Sequence, residues 1–161
     1  MKKLTIICID DQREVLSAIA SDLNVFEPYC LIEECESADE AMELMEELDA
    51  EGKAIALLIS DHIMPGKNGV EFLTEINQEH RFRHIKKILL TGLATHQDTI
   101  RAINNAGIDH YLEKPYKAQE LQQAVKELVT QYILRTGLNY EEYPGLMDQD
   151  TLLKEMRNKI Q

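Results

Sequence analysis

Four short apolar runs each end in a residue that can do polar chemistry. The run Ala54-Ile55-Ala56-Leu57-Leu58-Ile59-Ser60 leads into Asp61, and Ile6-Ile7-Cys8-Ile9 leads into Asp10 and Asp11. Ile88-Leu89-Leu90 ends in Thr91, and Tyr111-Leu112 ends in Glu113-Lys114-Pro115. If the runs are parallel strands, acids, a hydroxyl and an ammonium converge at one edge of a sheet. Carboxylates that close repel one another. A hard divalent cation removes the conflict, and Mg²⁺, which takes few carboxylates and completes its shell with water and phosphate oxygens, suits the set. Lys114 offers a mobile point charge, and Thr91 a hydroxyl able to bond a phosphoryl oxygen. With the metal, they can neutralise a transferring phosphoryl group while an Asp61 oxygen attacks it, which is covalent catalysis by a carboxylate. No Walker A or G-x-G-x-x-G loop occurs in the chain, which argues against a nucleotide enzyme.

The elements that would position these residues alternate, strand then helix, along the chain. Strands are predicted over 4–9, 31–35, 54–60, 85–90 and 108–112, the second more polar and so expected at an edge. Helices are predicted between about 15 and 23, from a capping box at Ser37-Ala38-Asp39-Glu40 to Leu48, over 70–76, over 97–105 with Gly107 as its left-handed cap, and from 118 to about 134. This alternation predicts a doubly wound α/β fold, a five-stranded parallel sheet covered on both faces. In such sheets ligands sit beyond the carboxyl ends of the strands where the strand order reverses. The order 2-1-3-4-5 puts strands one and three side by side there, and Asp10, Asp11 and Asp61 with them.

Length and composition bound the rest. A chain of 161 residues, 44% hydrophobic, is sized for one domain. Its formal charge of −12 opposes nonspecific binding to nucleic acid or to an anionic membrane. Three cysteines, Cys8, Cys30 and Cys35, form no disulfide framework and point to a reducing, cytoplasmic location. The first apolar run stops at Asp10, too soon for a signal peptide, and no stretch reaches membrane-spanning length. His80 and His84, separated by Arg81 and Arg83, read as a solvated connection rather than a metal pair. The acids from Glu33 to Glu47 read as a solvated face. A boundary near Thr136-Gly137 divides a domain at 1–135 from an extension at 136–161. A short helix over 151–160 in that extension is expected to dock, to dimerise or to lead into an output domain absent here.

The motifs together resemble the receiver domain of bacterial two-component response regulators, a set that includes the single-domain chemotaxis receiver and has a flavodoxin-like fold. They are Ile9-Asp10-Asp11, then Ser60-Asp61-His62-Ile63-Met64-Pro65-Gly66 with Gly69, then Leu90-Thr91-Gly92, then Gly107-Ile108-Asp109-His110-Tyr111-Leu112-Glu113-Lys114-Pro115-Tyr116. The resemblance covers about residues 3–134. It implies that Asp61 accepts a phosphoryl group from a histidine kinase or phosphotransfer protein. Asp11 would then be a direct Mg²⁺ ligand, Asp10 would act mainly through water, and the Ile63 main-chain carbonyl would be a further ligand. Lys114 would pair with the phosphoryl group, before a Lys114-Pro115 bond that Pro permits to be cis. Thr91 and Tyr111 would form a switch acting on the helix over 97–105, the fifth strand and the helix from 118, a surface read by a target protein or a second copy. Such a chain is a signalling phosphoacceptor rather than a turnover enzyme. Two further readings are a receiver-like adaptor that binds partners without phosphorylation, and a phosphatase or phosphotransferase with an aspartate nucleophile. Complete Asp10, Asp11, Asp61, Thr91 and Lys114 speak against the first. Ile63, where such enzymes carry a second acid, speaks against the other. In the family the chain resembles, the phosphoryl lifetime varies with the residues two past the phosphoacceptor and two past the threonine, here Ile63 and Leu93. Both are apolar and cannot orient an attacking water, so the resemblance implies that a phosphoryl group on Asp61 persists.

Overall fold

Apolar runs uninterrupted by polar residues need cover on both faces, and the central strands obtain it. The computed structural model describes residues 1–92 and 104–160. Strands β1 (Leu4–Ile9), β3 (Ile55–Asp61) and β4 (Lys86–Thr91) are buried along their whole length. β2 (Cys30–Cys35) and β5 (His110–Glu113) are partly exposed and form the two edges. All pairings are parallel, in the expected order β2-β1-β3-β4-β5.

The described helices are α1 (Arg13–Asp22), α2 (Ala38–Ala50), α3 (Gly69–Asn77), α4 (Ala118–Thr136) and α5 (Gln149–Ile160). Leu16 and Ile19 of α1 and Leu121, Val125 and Val129 of α4 pack on one face of the sheet, with Ile6, Cys8, Leu57 and Ile59. Ala41 and Met45 of α2 and Phe72, Leu73 and Ile76 of α3 pack on the other, with Ile7, Ile9, Leu58 and Leu89. The helix predicted over 97–105 falls largely outside the described residues, as does Leu93. Gly107 does adopt the left-handed conformation, φ +64°, and a Cβ there would lie 2.4 Å from Asn77 Oδ1.

The strand limits differ from the sequence reading in informative ways. β3 and β4 each run one residue further than predicted, so Asp61 and Thr91 end their strands. β5 begins at His110 rather than at 108, because Asp109 is engaged sideways. Its N–H donates to Lys87 O at 2.9 Å, and its Oδ2 accepts from Lys87 N at 2.8 Å. At α2, Ser37 Oγ accepts from Glu40 N at 3.1 Å as a cap should. The returning Glu40 carboxylate takes Glu36 N at 2.9 Å, one residue earlier than a closed capping box.

Beyond α4, Gly137 turns the chain at φ +79° and residues 139–147 run back under the sheet. Tyr143, Leu146 and Met147 are buried in the core shared with α1 and α4. The Tyr143 hydroxyl donates to Lys2 O, and its ring centroid stands 6.3 Å from that of Tyr29. His80 and His84 are both exposed. The three cysteines are free and buried, and burial pushes the Cys30 and Cys35 thiols up to about 12. Among the described residues no helix is long and apolar enough to cross a membrane.

Candidate functional site

Parallel pairing brings the strand ends into line. Ile9 is level with Ser60, Asp61 with Leu90, and Thr91 with Glu113, so the residue just after β1, the last of β3, the last of β4 and the residue after β5 share one edge. Main-chain bonds fix their spacing. Asp10 N donates to Cys35 O at 3.1 Å, His62 N to Leu90 O at 3.2 Å, and Lys114 N to Thr91 O at 2.9 Å. Gly69 supports the loop after β3 by donating from N to His62 O at 2.9 Å. A Cβ on Gly69 would lie 2.2 Å from Asp61 O, so this contact requires glycine.

Asp10, Asp11 and Asp61 each present a carboxylate oxygen within 4.8 Å of the others. Asp10 is buried, Asp61 nearly so, and Asp11 is exposed. The Lys114 ammonium donates to Asp61 Oδ1 at 2.9 Å and stands 3.7 Å from Asp10 Oδ2. The Lys114-Pro115 bond is cis. Burial raises the Asp10 carboxyl above the usual carboxylate range, and the nearby Asp61 adds to this, while the Gln12 N–H and Lys114 oppose it. Thr91 is buried beside this group, whereas the Tyr111 ring is 46% exposed and faces outward from β5. The Ile63 side chain is 62% exposed in the loop beyond Asp61. The structure thus brings Asp10, Asp11, Asp61 and Lys114 into one group, with Thr91 at the adjoining strand end and Tyr111 at the rim.

The residues fit a hard cation. Their donor set is oxygen only, as Mg²⁺ requires. Asp10 Oδ2 is buried with no hydrogen-bond partner, an acceptor in want of a positive ligand or an ordered water. Sequence reasoning missed Gln12, whose main-chain N–H donates to Asp10 Oδ1 at 2.8 Å and aims that carboxylate. A main-chain donor leaves no mark in residue type. It missed also the Ser60 hydroxyl, which donates to Asp61 O at 2.8 Å and satisfies a buried carbonyl at the strand end.

Comparison with known proteins agrees with this geometry. The family model described as the response regulator receiver domain matches residues 6–126. The hydrogenase transcriptional regulatory protein HoxA of Cupriavidus necator is 30% identical over 128 residues, covering 80% of this chain and 24% of that protein. The chain therefore spans about a quarter of the length of the hydrogenase regulators it matches. The chemotaxis protein CheY1 of Helicobacter pylori is 30% identical over 89 residues, covering 55% of this chain and 70% of that one. Among solved structures, a CheY-like response regulator receiver domain protein from Methanospirillum hungatei superposes with a TM-score of 0.69 at 25% identity, covering 84% of this chain and 99% of that one. The signal receiver domain of an HD domain-containing protein from Pseudomonas fluorescens gives 0.70 at 25% identity, covering 81% and 98%.

Proposed function

Because this chain belongs to the response regulator receiver domain family of two-component signalling, we propose that it accepts a phosphoryl group on Asp61 and uses it to switch a protein-binding surface. The observation that carries this reading is the company of Asp61: an ammonium at 2.9 Å and two further carboxylates with oxygens within 4.8 Å. The donor is the phosphohistidine of a histidine kinase or phosphotransfer protein. An Asp61 oxygen forms a bond to phosphorus as the phosphorus–nitrogen bond breaks, and the departing imidazole retains the electron pair and takes up a proton.

Asp10, Asp11, Asp61 and the Ile63 carbonyl would hold Mg²⁺, which when bound supplies positive charge against the phosphoryl oxygens. Gln12 N–H keeps the Asp10 carboxylate turned toward the site. Lys114 leaves its ion pair with the free Asp61 carboxylate and follows the charge onto the phosphoryl group, a movement its flexible stem permits. The Thr91 hydroxyl bonds a phosphoryl oxygen, and Tyr111 turns from its exposed position toward the space that Thr91 gives up. The phosphoryl group adds about −1.5 to −2 charges at the sheet edge. The surface so biased comprises the helix predicted over 97–105, β5 and α4, and its reader is a target protein or a second copy.

The test is intact mass after incubation with acetyl phosphate and Mg²⁺. Wild type is expected to gain one phosphoryl group and Asp61→Asn none. Absence of an adduct in wild type supports the adaptor reading instead, and rapid multiple turnover of acetyl phosphate supports a phosphatase.

A further inference from the structure

The segment after α4 is held in two different ways. Its first part, residues 139–147, is locked in by Tyr143, Leu146 and Met147, each at most 5% exposed. Its second part, α5, lies along α4 and, among its described side chains, buries one apolar residue well, Leu152, with Met156 half-covered and Leu153 facing outward. Around Leu152 the contacts are polar and near solvent. Arg135 pairs with Glu155 at 3.2 Å, and the Lys159 ammonium donates to Leu134 O at 3.3 Å. A helix of this length has little stability of its own and depends on docking. Local opening begins where buried apolar contact is least.

The joint between the two parts is Asp148. Its N–H donates to Thr130 Oγ1 at 2.9 Å, which ties it to α4, and its Oδ2 accepts from Thr151 N at 3.1 Å and Thr151 Oγ1 at 2.6 Å, which starts α5. Movement of α5 about this joint would leave residues 139–147, the strap, in place.

α5 also faces the amino end of β5. A cleft of about 460 Å³ separates it from that strand, walled by Asp109 and His110 on one side and by Thr151, Lys154 and Glu155 on the other. β5 is four residues long, and directly after it comes Lys114, bonded to Asp61. Asp109 and His110 stand at the opposite end of this strand from Lys114, so β5 joins the site directly to the cleft under α5. Asp109 is in turn bonded to Lys87 N, and its carboxylate lies 3.7 Å from the Lys86 ammonium beneath α5.

We propose that α5 is a latch over the α4–β5 face, docked in the unphosphorylated chain and released when Asp61 is phosphorylated. This rests on the phosphoacceptor reading above. Release uncovers an α4 surface shaped for a helix presenting a leucine with an acid three residues on, as Leu152 and Glu155 do. Coupling of this kind is reciprocal. Weakening the latch therefore favours the phosphorylated form.

The test is amide hydrogen exchange of the full chain, read by mass spectrometry, with Mg²⁺ alone and after acetyl phosphate, intact mass reporting the adduct in the same sample. Exchange over 152–159 is expected to rise on the order of tenfold with the adduct, within the usual range of allosteric coupling, while residues 143–147 stay protected. Leu152→Ala and Glu155→Lys are expected to show fast exchange without phosphorylation and to raise the steady-state adduct at subsaturating acetyl phosphate. An adduct with unchanged or slower exchange over 152–159 overturns the latch and leaves the phosphoacceptor intact. No adduct overturns both.

Discussion

Replacing Asp10 by Asn is expected to stabilise the metal-free protein while damaging its chemistry. The Asp10 carboxylate is 1% exposed, and one of its oxygens has no hydrogen-bond partner. Lys114 at 3.7 Å attracts it by about 4–5 kcal/mol at an effective dielectric near 20. Asp61, within 4.8 Å, repels it by at least about 3 kcal/mol on the same scale. The two nearly cancel, and the 34% exposure of the Lys114 side chain weakens the attraction further. What remains is desolvation, several kcal/mol for a buried ion, partly offset by the hydrogen bond from Gln12 N, which Asn can still accept. The balance favours a neutral amide by about 1–2 kcal/mol, or about 3–6 °C in melting temperature for a domain of this size. Calorimetry in EDTA checks this. Added Mg²⁺ should reverse the ranking, because only wild type keeps the full carboxylate set and gains linked stability. An unchanged or lower melting temperature for Asp10→Asn in EDTA would refute the argument that this carboxylate is held at a cost for the sake of a cation.

Lys114→Met removes a charge aimed at the transferring group and is expected to slow phosphorylation by acetyl phosphate about 10²-fold, read by time-resolved intact mass. Ile63→Asn combined with Leu93→Glu changes the two positions to which the family resemblance assigns control of hydrolysis, so the phosphoryl lifetime, followed by decay of the adduct, should shorten by roughly tenfold or more. Lys87 is 3% exposed and burial lowers its pKa from 10.5. Its charged form therefore costs folding stability below the lowered value, and that cost fades as pH rises toward 10.5. Lys87→Met should be more stable than wild type at pH 7 by about 1 kcal/mol, with the difference shrinking toward pH 10.5 in denaturant titrations. Tyr143→Ala empties a site filled by a ring 1% exposed and should cost about 3–5 kcal/mol by urea unfolding.

The sheet and the polar edge that gathers the candidate site were legible because each central strand is a run with one physical signature. Ile6 to Ile9 and Leu57 to Ser60 are apolar on both faces, and the polarity that ends each run is the chemistry itself. The start of β5 was less legible. Ile108 has strand character, but Asp109 spends its main chain and side chain on Lys87, and that bond depends on a residue 22 positions away. The strap was hidden for the same reason. Tyr143 reads as part of a polar, tyrosine-rich segment until Lys2 and Tyr29 stand beside it. Gln12 meets Asp10 through its main chain, which sequence does not distinguish, whereas Asp11, Asp61 and Lys114 are grouped through side chains whose types are visible in the sequence.

The central claim is that one carboxylate, Asp61, carries the phosphoryl group. Borohydride reduces an acyl phosphate to the alcohol, so treating the phosphorylated chain and mapping its peptides reads the position directly. The account predicts homoserine at position 61, dependent on both acetyl phosphate and Mg²⁺. Homoserine at Asp10 or Asp11, or at none of the three after an adduct has been seen, would contradict it.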